Sequence, residues 1–158
     1  MIPASVEKLT SMSSQIVEGT AAQSFSQWNP QHTLIYTYTR FTISRTLKGT
    51  AVPQVMVRQI GGSAAGYTQR VAGIRHWRVG DQALLFLRPS PEPGVMSVTD
   101  LMQGNFLMGK NSSGDILVSN GVAGVSSIQP GAHEAQIYQG SSMRLPEIEA
   151  RIAKAVQP

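Results

Sequence analysis

Cysteine is absent from all 158 residues, which removes disulfide frameworks, thiolate nucleophiles and cysteine-ligated metals at once. Charge is scarce, at 14% of residues, and so are aromatic rings, at 6%. With an apolar fraction of 41%, this is the balance of a chain that builds a core, since disordered chains carry more charge and fewer apolar residues. Long apolar runs are missing too. The longest, residues 83–87, is strand-length and far short of the roughly 18 residues that cross a bilayer, so no transmembrane segment is expected. Nor do the first residues show a basic segment followed by an apolar stretch, the mark of a signal peptide.

The catalytic repertoire is equally thin. No serine stands in a Gly-x-Ser-x-Gly elbow, and His32, His76 and His133 are far apart in sequence. His133 and Glu134 begin like a zinc-protease helix motif, but Ile137 stands where the second histidine is needed. The glycine-rich stretch 61–66 is not followed by Lys-Ser or Lys-Thr, so it reads as a hairpin turn and not as a phosphate cradle. No catalytic residue, no metal ligand and no cofactor is expected, and a non-enzymatic role follows.

What is present is a series of strand signals with a helix at each end. Val6, Leu9, Met12 and Ile16 recur at three- and four-residue steps behind Ser5, a capping residue, and predict a short N-terminal helix. Strands are predicted from residue 16 toward 27, over 33–47, over 54–60 and from 67 to 71. Further strands are predicted over 82–87, 95–98, 105–108 and 116–119, with turns at 28–30, 48–50, 79–81 and 89–94. The 33–47 strand is long enough to demand a bulge or bend. The continuous apolar run within 82–87 predicts a strand buried on both faces. Pro146, the early acids Glu147 and Glu149, and Ile148, Ile152 and Val156 at every fourth position predict a C-terminal helix over 145–157. Residues 120–142, rich in Gly, Ser and Pro, sustain no period and read as an arm or loop. One domain over 1–158 is expected, mainly β: an OB-type small barrel over 16–119 with a short helix before it and a helix after it.

The segments 16–20 (Ile-Val-Glu-Gly-Thr), 41–43 leading to 47–49 (Leu-Lys-Gly), 79–81 (Val-Gly-Asp) and 84–87 (Leu-Leu-Phe-Leu) occur in the order found in the netrin-module family. The chain resembles that family, which includes the tissue inhibitors of metalloproteinases, and its bacterial secreted relatives. The resemblance implies an OB-type barrel and a secreted or periplasmic address, and an exported chain of this sequence would be one whose signal peptide has been removed, the alternative being a cytoplasmic protein. It does not carry over the inhibitors' mechanism, in which an amino-terminal cysteine meets the protease zinc, because this chain begins Met1-Ile2-Pro3 and has no cysteine.

Charge points to one candidate surface. Between Arg40 and Arg88, eight arginines and lysines face a single acid, Asp81, in a chain whose net charge is +4. Tyr36, Tyr38, Arg40, Arg75, Trp77 and Arg78 combine rings with cations, the composition an OB barrel uses to stack bases and neutralise phosphate. The bland alternative makes these a solvated strand face, with Trp28 and Trp77 anchoring the barrel ends. Two readings follow: an exported binding module for a protein or a cell-envelope polymer, and a single-stranded nucleic-acid binder.

Overall fold

Ser5 has an extended backbone and its hydroxyl accepts the Lys8 N–H, so α1 (Val6–Met12) starts where a capping serine predicts. The computed structural model describes residues 3–120, 126–127, 136–137 and 142–157. The helical spacing that includes Ile16 overruns the helix. α1 stops at Met12, which is exposed, and Ile16 instead pairs with Lys48 and Phe86 inside a sheet.

β1 (Gln15–Trp28) and β2 (Ile35–Lys48) form a long antiparallel ribbon, and β3 (Gln54–Ile60) lies antiparallel on the far side of β2. β4 (Gly62–Ala64) and β5 (Tyr67–Gln69) make a separate hairpin, and β6 (Gln82–Pro89) and β7 (Met96–Val98) follow. β7 runs parallel to β3 through Val57 and Met96 and antiparallel to β6, while β6 pairs with the first part of β1. The order β1-β2-β3-β7-β6 therefore returns to β1. The protein is mainly β, and its centre is a closed five-stranded OB-type barrel with a short N-terminal and a C-terminal helix. Past the barrel, β8 (Asn105–Lys110) shares the edge of β6 with β7, and β9 (Ile116–Ser119) pairs with β8. β10 (Ser126–Ser127) pairs with β11 (Gln136–Ile137), β12 (Ser142–Arg144) returns to β9, and α2 (Leu145–Val156) closes the chain. Of the predicted 120–142 arm, Asn120 and these short strands are described, and the rest, with His133 and Glu134, lies outside the described residues.

The irregularity demanded by strand length falls on the β1–β2 ribbon. Its register shifts three times, between Ile16 and Val17, between Glu18 and Gly19, and between Ala21 and Gln23. Gly19 stands at the middle shift, where a Cβ would lie 2.6 Å from the Thr42 carbonyl oxygen, so only glycine lets the two backbones come this close. Beyond Thr20 the strand leaves β6, and Trp28, expected in a turn, is its last residue, paired with Ile35. The glycine run 61–66 is likewise not one connection: it holds β4, and the tight turn is Ala65-Gly66, with φ of 50° and 84°.

Two apolar clusters sit on the two sides of the barrel wall. Inside are Val17, Phe41, Val57, Trp77, Leu85 and Val98, among others. Outside, under α1 and α2, are Leu9, Ile16, Leu84, Phe86, Phe106, Ile148 and Ile152. The run 83–87 serves both: Ala83, Leu85 and Leu87 point inward, Leu84 and Phe86 outward. That is why β6 is apolar without alternation, as a strand buried on both faces must be.

Candidate functional site

Period-two alternation sorts the candidate residues on β2. Ile35, Thr37, Thr39 and Phe41 are buried on the inner face, and Tyr36, Tyr38 and Arg40 share the opposite, outer face, where Tyr38 is covered as well. On β3, Val55, Val57 and Gln59 are buried, and Gln54, Met56, Arg58 and Ile60 share the outer face. The sheet register then sets Phe25, Tyr38 and Arg58 side by side across three strands, and Gln23, Arg40 and Met56 in the next row.

Two loops frame this face. In the 29–34 loop the Asn29 carboxamide oxygen accepts the backbone N–H groups of Thr33 at 2.8 Å and Leu34 at 3.1 Å, fixing a turn in which His32 adopts φ of 55°. The turn lays the His32 ring on Trp28, with centroids 5.6 Å apart, and Tyr67 of β5 meets Trp28 edge-on at 5.6 Å. In the proline-rich 89–94 loop, Glu92 donates its N–H to Ser90 Oγ, which directs its side chain over the sheet. Its Oε2 accepts the Tyr38 hydroxyl at 2.7 Å and Arg58 Nη1 at 3.1 Å. Arg58 also lies over the Tyr36 ring, 4.3 Å from its centroid. Burial, and after it the Glu92 carboxylate, raise the Tyr38 pKa, so the phenol stays a donor. Trp28, His32, Tyr36, Tyr38, Arg58 and Glu92 thus line a hollow of about 550 Å³ between the two loops.

No protein-family model and no curated protein matches this sequence. The chemistry of the site is therefore read from its geometry.

Of the six residues singled out from sequence, the structure gathers Tyr36, Tyr38 and Arg40 on one face and sends the other three elsewhere. Trp77 is only 4% exposed. It packs edge-on against Phe41 at 4.9 Å, and its Nε1–H donates to Asn105 Oδ1 at 2.9 Å, so it anchors the barrel interior and offers no ring face to a ligand. Arg75 is half-buried beside Gln59, whose amide donates to the Arg75 carbonyl, and burial lowers its pKa while Asp81 opposes the shift. Arg78 is exposed on the 78–81 turn, where its N–H donates to Asp81 Oδ2. Tyr38, under Phe25 at 5.2 Å and tied to Glu92, acts as a strut and not as a stacking platform. Arg58, Glu92, Trp28 and His32 were not among the six. The alternation along 54–60 puts Arg58 on the right face, whereas nothing local places Glu92 above it.

A second polar cluster lies on the helical side. Glu18 is 7% exposed under α2, next to Glu149, and Glu149 Oε2 takes Arg45 Nη1 at 2.6 Å. Glu18 Oε2 has no hydrogen-bond donor among the described residues, and a carboxyl buried in this way beside a second carboxyl favours its protonated form. Burial first, then the Glu149 carboxylate, push Glu18 up to about 8, with Arg45 opposing. Among the described residues no group of three or more His, Asp or Glu is arranged to hold a metal ion, and no helix is long and apolar enough to cross a membrane.

Proposed function

We propose that the protein is an exported, non-enzymatic binding module that takes its ligand in the groove over β2 and β3. One observation carries this reading. Trp28, His32, Tyr36, Arg58 and Glu92 line an open hollow between two loops, yet none belongs to either apolar cluster. Rings and charges ordered in this way, outside the core, are what recognition sites are made of. The outer face of the second and third barrel strands, with the loops beside it, is where OB barrels commonly take chain-like ligands. The low charge of the chain and its resemblance to netrin modules support the exported address.

The reading is tested by titrating the ¹⁵N-labelled full chain with cell-envelope glycan fragments and, separately, with a single-stranded DNA dodecamer. A bound ligand is expected to shift the Trp28 indole and the Tyr36 and Arg58 amides. Binding that leaves all three unmoved, or turnover of any hydrolase substrate at that groove, contradicts it. Recovery of the native protein only from the cytoplasm would remove the exported address.

Single-stranded nucleic acid is the competing ligand, because Tyr36 and Arg40 set a ring and a cation on one strand face. That reading requires affinity to fall steeply with salt and Arg40→Ala to weaken binding of every sequence alike.

A further inference from the structure

The hollow between the two loops is one end of a longer groove. At Tyr36 and Arg58 it meets a narrower hollow of about 180 Å³ that runs past Ile60 and Ile74 below the turn holding Leu101. At Ile60 and Ile74 that hollow meets a third, of about 690 Å³, beside the β4–β5 hairpin. Shared wall residues set the three hollows in a row across the barrel, a trough-like arrangement suited to a linear polymer. Its charges are few. Arg58 is neutralised by Glu92, and among the described residues the remaining charged side chain on these walls is Arg70. Arg75 and Arg78, which a phosphate backbone would need, are not among the residues lining it.

We infer that the trough binds an uncharged glycan chain. This rests on the reading of the β2–β3 face as the ligand site and names its ligand class. A neutral pyranose chain has flat, C–H-rich faces and hydroxyl edges, and each finds its complement here. The rings of Trp28 and Tyr36 line the wall, and what His32 and Arg58 leave uncovered of them meets the apolar faces. The Arg58–Glu92 pair, with Arg58 half-buried, is fixed by its own 3.1 Å bond, so the Arg58 N–H groups and the Glu92 oxygen not used in that bond are the donors and acceptor that neighbouring hydroxyls can reach. Because that pair is already neutral, a charged polymer gains no net Coulombic attraction from it, whereas an uncharged one forfeits nothing.

The test is calorimetric titration of the full chain with β-1,4-linked hexasaccharides of glucose and of N-acetylglucosamine, and with the single-stranded DNA dodecamer, at low and at moderate salt. At least one hexasaccharide is expected to bind with an affinity that salt leaves unchanged. Trp28→Ala is expected to weaken it by about ten-fold or more, with an unaltered circular-dichroism spectrum, and Arg78→Ala to leave it as it is. Salt-sensitive DNA binding without hexasaccharide binding overturns the glycan inference, and leaves the groove as a binding site only where the DNA shifts the Trp28, Tyr36 and Arg58 resonances. Hexasaccharide binding that survives Trp28→Ala, or no binding of either hexasaccharide, also overturns it. If, in addition, the DNA does not shift the Trp28, Tyr36 and Arg58 resonances, the β2–β3 site reading falls with it.

Discussion

On the side of the barrel formed by β1, β6, β8 and β9, the outward residues Ile16, Leu84, Phe86, Phe106 and Val118 are buried beneath α1 and α2. On the side formed by the first half of β2 and by β3, the outward residues Tyr36, Arg40, Met56 and Arg58 are partly open to solvent, while Tyr38 among them is buried under Phe25 and Glu92. Loops stand at the margins, and the far end of β2 meets the helices through Arg45 and Leu47. The strands are alike in geometry; they differ in what each outward position carries. Where it is aliphatic or Phe, a helix with Ile148 and Ile152 four apart seals it, and ion pairs such as Arg151–Glu7 at 2.7 Å decorate the rim. Exposed pairs of that kind contribute little, so the apolar layer holds the helices down. Where the outward residue is Tyr or Arg, the face stays open and its polar groups are ordered by one another. One side of the barrel wall serves stability and the other is available for recognition.

The sharpest way to break this comparison is to cut one residue from each side. Phe86→Ala removes a fully buried ring from beneath the helices and is expected to cost about 3–5 kcal/mol in urea unfolding, whereas Tyr36→Ala is expected to cost less than about 1 kcal/mol. Equal costs would mean that the open face is structural after all. Inside the wall, Trp77→Phe keeps the aromatic packing but leaves the buried Asn105 oxygen without its donor, for an expected loss of about 1–3 kcal/mol in the same assay.

A third change probes the seam where a helix covers a carboxyl. Glu18 is protonated in the fold up to about 8 and ionises near 4.5 once unfolded. Between those values the unfolded state binds fewer protons, so stability is full below about 4.5 and falls as pH rises toward about 8. Thermal unfolding of Glu18→Gln measured against the parent should show a smaller decline across that window; an identical decline would refute the assignment. The smallest effect is expected on the open side. Tyr38→Phe frees Glu92 from one of its two partners and should lower stability by about 1 kcal/mol or less, while weakening groove binding by more. A stability loss matching that of Phe86→Ala would show that Tyr38 belongs to the core.

Much of the fold was legible because its signals are local. Ser5 before Val6, Pro146 in the first turn of α2 and the unbroken 83–87 run each state their structure within a few residues. The site was legible only in part. Alternation put Tyr36, Tyr38 and Arg40 on one face, but Trp77, read as a candidate stacking ring, is drawn into the barrel by its packing on Phe41, which lies far from it in sequence. The Arg58–Glu92 pair spans 34 residues, and no local pattern links a strand arginine to a glutamate in a proline-rich loop.

The sequence by itself determined both helices, the longer strands and which of their residues share a face, because backbone sterics and the two-residue side-chain period act over a few neighbours. Only the tertiary structure decided which face turns inward, which outer face the helices cover and where the groove opens. Those outcomes follow from closing β1 on β6 and β3 on β7, contacts between segments tens of residues apart that no local preference encodes.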